Sequence, residues 1–160
     1  MQRPLRFAIT IFLAPAVFSL SACSRTLVEE PIATDYDREN IVQSVDFWHE
    51  LPRRSAVTNN EGLHGLILFA DGDDPNETYA QRIDYLKALG WLDEDFDEPA
   101  NLAMQRGTLA RALANALEIT GGVMMRLTDK SARYATRELV FMGIMPPGTE
   151  QQVLSGYQYV

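Results

Sequence analysis

The sequence is poor in the side chains on which most catalytic and metal sites depend. Its 160 residues include one cysteine, Cys23, and two histidines, His49 and His64. A lone cysteine excludes an internal disulfide, and two histidines limit histidine-based chemistry. The sequence also lacks a Gly-x-Ser-x-Gly motif and any glycine-rich loop with phosphate-binding spacing. We therefore predict no catalytic residues, no metal site, no cofactor and no enzyme activity.

Long hydrophobic runs are scarce too, and the longest lies at the N-terminus. Residues 7–20 are mostly apolar, follow Arg3 and Arg6, and contain Pro15. The run is shorter than the roughly 18 apolar residues of a membrane-spanning helix. A basic head, a short apolar run and a small-residue exit are typical of a secretory signal peptide, here predicted over residues 1–22.

Residues 20–23 (Leu-Ser-Ala-Cys) resemble the bacterial lipobox at every position. In that family the chain is cut before the cysteine, whose thiol and freed amine are acylated. The resemblance implies lipid on Cys23, a membrane as partner, and Ser24 in place of Asp implies the periplasmic face of the outer membrane. An ordinary secretory signal with an incidental cysteine is the alternative, but lipidation also accounts for the lone thiol.

Cleavage before Cys23 leaves 138 of the 160 residues, enough for one domain with a hydrophobic core. It removes two of the 14 basic residues and none of the 22 acidic ones, so the net charge changes from −8 to −10. An acidic surface argues against nucleic acid as a partner, since nucleic-acid sites are basic. Residues 23–39 are rich in charged and turn-forming residues, so we expect a lipidated, flexible tether there and a folded domain over residues 40–160.

Apolar residues recur at helical spacing through most of this domain, and the alternating runs typical of strands are scarce. The clearest helix is predicted where Leu109, Leu113 and Leu117 lie four residues apart and face the core. We predict a mainly α fold, a small helical bundle with a short strand at the terminal tyrosines and helices over residues 41–51, 59–69, 77–89, 105–119, 131–142 and 149–154.

Two of these helices have further predicted core residues. Asn59 or Asn60 is expected to cap the second helix. The residues expected to face the core are Leu63, Leu66, Ile67 and Phe69 in the second helix and Tyr79, Ile83, Leu86 and Leu89 in the third.

Two sequence features recur along the domain. One is a helix that ends in glycine followed by two apolar residues, in residues 86–92 and again in residues 139–145. The other is a polar start followed by a leucine-rich helix, in residues 57–61, 103–107 and 148–150. The recurrence predicts three helix-loop-helix pseudo-repeats.

This alternation resembles the S-layer homology domain, whose repeats have a helix ending in Leu-x-x-x-Gly-Ile-Ile, a loop with Phe-x-Pro and a second helix opening with Thr-Arg-Ala-Glu. Residues 96–99 keep Phe and Pro with one extra residue, and Arg106 keeps the arginine of the opening, although Thr108 replaces the glutamate. In that family three repeats form a helical bundle that binds carbohydrate polymers attached to peptidoglycan. The resemblance implies a non-catalytic binding domain for a cell-wall polymer, with Arg106 as the candidate ligand-binding residue.

Two other functions fit the composition. A scaffold or accessory subunit that binds another envelope protein predicts an exposed apolar patch. A periplasmic hydrolase predicts a cleft with two carboxylic acids, and the sequence singles out no such pair.

Two further sets of residues carry the oxygen and nitrogen atoms that bind metal ions. Glu61 and His64 have the spacing of carboxylate-bridged metal sites, but these need a second copy that His49 and Glu50 do not supply, so we expect surface or helix-end histidines. Residues 71–77 and 93–98 are acidic loops without the EF-hand pattern. We expect them to be solvated, with weak calcium binding as the alternative.

Overall fold

The computed structural model describes residues 25–35 and 41–160. The predicted signal peptide, Cys23, Ser24 and residues 36–40 lie outside this part of the chain. Within it the fold is mainly α, as predicted, and no helix there is both long and apolar enough to cross a membrane. A 3-10 turn spans Leu51–Arg53, and the α-helices are α1 (Ile41–Glu50), α2 (Asn59–Asp71), α3 (Tyr79–Ala88), α4 (Arg106–Ala116), α5 (Val123–Leu127), α6 (Ala132–Phe141) and α7 (Gly156–Tyr159).

The helices form three pseudo-repeats, α1 with α2, α3 with α4, and α6 with α7. The predicted match between residues 86–92 and 139–145 is visible at the ends of α3 and α6. Gly90 and Gly143 have φ values of 70° and 74°, in the left-handed region that favours glycine. In both segments the amide after the glycine donates to the carbonyl oxygen four residues before the glycine, at 2.9 Å. The two helices therefore end in the same way.

A ring of three backbone hydrogen bonds joins the pseudo-repeats at their centre. The amide of Val57 donates to Leu154 O at 2.9 Å, that of Leu154 to Met104 O at 3.3 Å, and that of Met104 to Val57 O at 2.8 Å. All three side chains are fully buried. We call these three residues the central ring; it connects segments about 50 residues apart in an approximately threefold arrangement.

The residue after each ring residue is the N-cap of a helix, so α2, α4 and α7 begin side by side. Thr58 and Ser155 form capping boxes with Glu61 and Gln158, whereas Gln105, the cap of α4, makes no side-chain cap bond. Thr58, and not Asn59 or Asn60, is therefore the cap of α2.

The C-terminal predictions were wrong. Residues 149–154 form a turn rather than a helix, and the terminal tyrosines, Tyr157 and Tyr159, lie in α7 rather than in a strand. The capping box of Ser155 with Gln158 starts a helix at Gly156, where a short strand was expected. The short helix α5 was not predicted, and α4 ends at Ala116, before the predicted end at residue 119.

The main core is built from buried side chains of α2, α3, α4, α5 and α6. α4 packs most extensively on α6, where its alanines allow a close approach: Ala110 and Ala114 are fully buried. Three residues predicted to face the core are instead largely exposed, namely Phe69 (61%), Leu89 (44%) and Leu117 (42%). Their helices have the predicted apolar faces, but the C-terminal end of each face is not covered.

Residues 25–35, part of the predicted tether, lie against the domain. Thr26 O accepts from the amide of Ala103 at 3.0 Å, and the amide of Val28 donates to Asn101 O at 2.9 Å. Further along, Thr34 is buried. In its described part the predicted flexible tether is therefore a segment paired with the domain, because its backbone finds partners that composition alone does not reveal.

We expect Gly156→Ala to lower the free energy of unfolding by about 2 kcal/mol or more. Gly156 begins α7 with its Cα directly over the backbone carbonyl of Leu51, and a Cβ there would overlap that oxygen. Backbone atoms cannot swing aside as a flexible side chain can. Urea denaturation of both proteins, followed by circular dichroism, measures the difference.

Gly122→Ala is the matched control. Its Cβ would lie 3.8 Å from its nearest neighbour, a carboxylate oxygen of Glu138, and its φ of −74° suits alanine. We expect a loss below about 1 kcal/mol, the scale of a weakened helix cap. Equal losses for the two substitutions would contradict the close packing at the start of α7.

Candidate binding surface

Arg106, the predicted polymer-binding residue, is the first residue of α4 and only 1% exposed. Its Nη1 donates to Pro146 O at 2.7 Å, its Nε has no hydrogen-bond partner, and Gly148 lies against the guanidinium. Burial lowers the pKa of Arg106. Arg106 therefore offers no exposed guanidinium to a polymer, and its predicted ligand-facing role lacks support.

The central ring explains this burial. Asn59 and Gly156 occupy the positions equivalent to Arg106, and the amide of each of the three residues donates to a carbonyl of another pseudo-repeat at 2.8–2.9 Å. The side chain of Asn59 is also buried, with Nδ2 donating to Glu98 and to Pro99 O. In each pseudo-repeat the residue at this position therefore packs at the central ring and does not face solvent.

A second buried arginine, Arg82 on α3, was not predicted. Its Nε donates to Asp74 at 2.5 Å, Nη1 to Asn60 (2.8 Å) and Thr34 Oγ1 (3.1 Å), and Nη2 to Thr34 O (2.7 Å) and Asn76 O (2.9 Å). All five N–H groups of the guanidinium are therefore used. The only sequence signal for a buried arginine here was its position beside an apolar helix face and after an aspartate-rich loop.

Asp74 is the acceptor at the centre of this network. Besides Arg82 it binds Nδ1 of His64 at 2.5 Å, and both the backbone amide and the side-chain amide of Asn76. Burial on its own would raise the pKa of Asp74, but the hydrogen bonds from His64, Arg82 and Asn76 outweigh it and lower the pKa to about 2. The network therefore requires an ionised Asp74.

Glu61 and His64 do not form a metal site. Glu61 is fully buried and accepts from the amides of Thr58 (2.7 Å) and Ile32 (2.6 Å), while His64 binds Asp74. No group of three His, Cys, Asp or Glu side chains is placed to hold a metal ion in the described residues. The prediction of a surface or helix-end position holds for the exposed His49 but is wrong for His64, which is 2% exposed.

The two acidic loops use carboxylates to hold the fold together. In the first loop Asp74 is buried in the network just described. In the second, Glu98 pairs with Arg25 of the N-terminal segment, and Asp93 pairs with Arg111 at 3.1 Å. The prediction of solvated loops is therefore wrong for Asp74 and for Glu98, whose side chain is 23% exposed.

An apolar groove lies between α2 and α4, and α1 and α7 also contribute side chains to it. None of the side chains that line it carries a carboxylate, imidazole or guanidinium. Exposed parts of Phe69, Leu117 and Ile144 make its rim an open apolar surface. The residues that define the apolar groove are Trp48, Gly65, Leu66, Phe69, Leu109, Leu113, Leu117, Ile144, Tyr159 and Val160.

A second apolar surface adjoins this groove. Ile144, Tyr159 and Val160 belong to both, and the second continues over Pro52, Pro146 and Tyr157. Tyr157 is 83% exposed. The sequence analysis had singled out several of these apolar residues, but had predicted that most of them lie in the core.

Comparison of the chain with known protein families, with curated proteins and with solved structures finds no match.

We expect the stability of the fold to fall as the pH is lowered from about 4 to 2. The pKa of Asp74 is depressed in the folded state, so its contribution is present above the ordinary value near 4 and is lost toward about 2. The loss expected from this group is on the order of 2 kcal/mol. Urea denaturation at half-unit pH steps measures it.

Asp74→Asn and Asp73→Asn separate this group from the other carboxylates. Asp73 is exposed in the same loop, so its variant should keep the wild-type acid profile. Asp74→Asn should be destabilised at neutral pH, and its deficit should shrink toward pH 2, where about half of wild-type Asp74 is protonated in the folded state. A deficit that stays constant from pH 6 to 2 would contradict the role of the ionised carboxylate.

Proposed function

We propose that this chain is a lipoprotein of the bacterial envelope, anchored through lipid on Cys23, whose helical domain is a non-catalytic module that binds another envelope protein. The observation that carries the second part is the exposed apolar groove with its adjoining surface. Apolar patches of this kind on soluble domains are typical of protein interaction sites.

The lipobox-like residues 20–23 support the anchor, and the N-terminal segment indicates how the domain would be held. Arg25 pairs with Glu98 and also reaches Ala103 O. Cys23 precedes Arg25 by two residues, which span at most about 7 Å. Lipid on Cys23 would therefore keep the domain close to the bilayer, without the long reach expected of a flexible tether.

Three features support a protein partner over a wall polymer or a substrate. The arginine that the S-layer homology resemblance assigns to polymer binding is buried. The groove has no charged side chain with which to orient a sugar or activate a water molecule. Its exposed aromatic and aliphatic side chains are those that protein interfaces use as anchors.

Cys23→Ser should abolish lipid attachment and move the chain out of the membrane fraction. The physical reason is that acyl chains on the cysteine supply the apolar area needed for lasting membrane binding. Metabolic labelling with radioactive palmitate, followed by fractionation of membranes, measures both effects. Ser24→Ala, one residue later, is the matched control and should remain labelled and membrane-bound. Palmitate labelling of the Cys23→Ser chain would contradict the proposed anchor.

A sedimentation experiment tests the class of partner. We expect the purified chain to stay in the supernatant with peptidoglycan sacculi, whether or not their attached polymers have been stripped. Formaldehyde crosslinking of intact cells should shift the chain to a defined heavier band. Sedimentation that depends on the polymers, with no heavier band, would instead favour the S-layer homology reading and overturn the proposed protein partner.

A further inference from the structure

Three exposed arginines on α5 and α6 have no counter-charge. Arg126, Arg133 and Arg137 are exposed, and none of them forms an ion pair in the part of the chain that the structure describes. Unpaired cations on neighbouring helices of an acidic chain favour an anionic partner. The other described arginines all lie against a carboxylate or donate to a backbone carbonyl: Arg25, Arg53, Arg54, Arg82, Arg106 and Arg111.

The short helix α5 leaves most of its apolar side chains exposed. Met125, its central residue, is the one that it buries. Val123 and Leu127 lie one turn apart on the opposite side and are 72% and 74% exposed. Arg126 is exposed beside Leu127, so α5 presents both aliphatic side chains and a cation to its surroundings.

α6 continues this surface. Arg133, Arg137 and Phe141 recur every four residues and form one stripe along the helix, and Phe141 is 88% exposed. α5 and α6 pack against each other, and only residues 128–131 separate them in the chain. The residues that define the α5–α6 surface are Val123, Arg126, Leu127, Arg133, Arg137 and Phe141.

The two acidic residues of this segment do not neutralise the three arginines. Asp129 pairs with Arg111 of α4 at 3.7 Å. Glu138 is half-buried, and its carboxylate accepts from the amide of Gly122 at 3.4 Å. Residues 121–142 contain four basic and two acidic residues, whereas the whole chain has 14 basic and 22 acidic ones. The α5–α6 surface is therefore both positive and apolar on a chain that is acidic elsewhere.

This combination suits the headgroup region of an anionic lipid bilayer. A guanidinium binds phosphate oxygens through two parallel hydrogen bonds. Aliphatic and aromatic side chains on the same surface enter the boundary between headgroups and acyl chains. An acidic protein would supply the charge as well, but the proposed lipid anchor already holds a bilayer close to the domain.

Ion pairs connect the N-terminal segment to the α5–α6 surface. Arg25 pairs with Glu98 at one end of the second acidic loop. Asp93, at the other end of that loop, lies 3.1 Å from Arg111, which also donates to the carbonyl oxygen of Asp129 between α5 and α6. The anchored end of the chain and the turn from α5 to α6 therefore adjoin the same loop.

The turn from α5 to α6 also lies toward the central ring. Ala132, the first residue of α6, packs on Gly107 in the first turn of α4. Arg25 contacts Ala103, just before α4 begins. Lipid on Cys23 would therefore hold the bilayer at the end of the domain where the α5–α6 surface starts. Weak contacts suffice there, because tethering raises the effective concentration of the lipid surface.

We propose that the α5–α6 surface docks on anionic lipid headgroups of the membrane that anchors the chain, with its three arginines on lipid phosphates and its three apolar side chains at the edge of the acyl region. This deepens the proposed function and rests on it, since the anchor keeps the bilayer within reach. No residue of the α5–α6 surface lines the apolar groove, so the docked domain keeps the groove free for its protein partner.

The test uses the photoreactive amino acid p-benzoylphenylalanine at position 127 of the purified full chain, or at position 69 on the rim of the apolar groove. The chain is mixed with vesicles of phosphatidylcholine alone, or of phosphatidylcholine and phosphatidylglycerol in equal parts, each containing a tritiated phospholipid. Flotation of the vesicles measures anchoring, and irradiation then links lipid to a side chain that touches it. On anionic vesicles the yield of lipid adduct from position 127 should exceed that on neutral vesicles, and that from position 69, at least about fivefold.

Arginine variants test the charge. Arg126→Gln combined with Arg137→Gln should lower the adduct yield from position 127 on anionic vesicles at least about fivefold, because each basic residue near an anionic surface strengthens binding by roughly this factor. Both residues are exposed, so the fold is unaffected. Arg53→Gln is the matched control: the Arg53 side chain is 76% exposed but lies outside the α5–α6 surface, and its loss should change the yield less than about twofold.

The outcomes separate this inference from the proposed anchor. Flotation with both kinds of vesicle, with equal adduct yields from positions 127 and 69, would overturn the docking and leave the anchor in place. Flotation with anionic vesicles alone, with the adduct at position 127, would overturn the anchor and support the docking. No flotation would overturn both. In irradiated intact cells, a protein adduct from position 127 in place of a phospholipid adduct would overturn the lipid and assign the α5–α6 surface to an acidic protein.

Discussion

The central ring is the constraint on which the rest of the structure depends. Three buried amides, from Val57, Met104 and Leu154, bond in a closed cycle, and each comes from a different pseudo-repeat. Buried backbone groups must find partners, so a segment that leaves the ring strands an N–H group in one of the others and a carbonyl in the remaining one. The ring also sets where α2, α4 and α7 begin. The positions of the buried Arg106 and of the groove both follow from that common origin.

A second set of polar contacts joins the N-terminal segment to this frame. Glu61 in the first turn of α2 accepts from Ile32, and Arg82 donates twice to Thr34, so a loop-like segment is held by two buried charges. Buried charges are tolerated only when their hydrogen bonds are complete, and Arg82 meets this condition with Asp74 as its counter-charge. The network therefore couples the position of the N-terminal segment to the packing of α2 against α3.

Helical spacing and glycine caps predicted the architecture, because both are local properties that the sequence carries directly. The same reasoning failed at Leu117 and Phe69, since periodicity identifies the apolar face of a helix but not whether another element covers it. It also missed Arg82, whose partners lie 6 to 48 residues away in the chain. The candidate surface was therefore less predictable than the fold, because it depends on which elements are brought together around the ring.

The fold also gives an orientation to an anchored chain. Arg25 contacts Ala103, next to the ring residue Met104, so the N-terminal segment lies near the start of α4. The groove runs to Leu117, about 12 residues and roughly 18 Å along that helix. With lipid on Cys23, the bilayer would lie toward the ring end and the groove would open away from it. An envelope protein of the kind proposed as partner would then reach the groove from the aqueous side, without competing with the membrane for the same apolar residues.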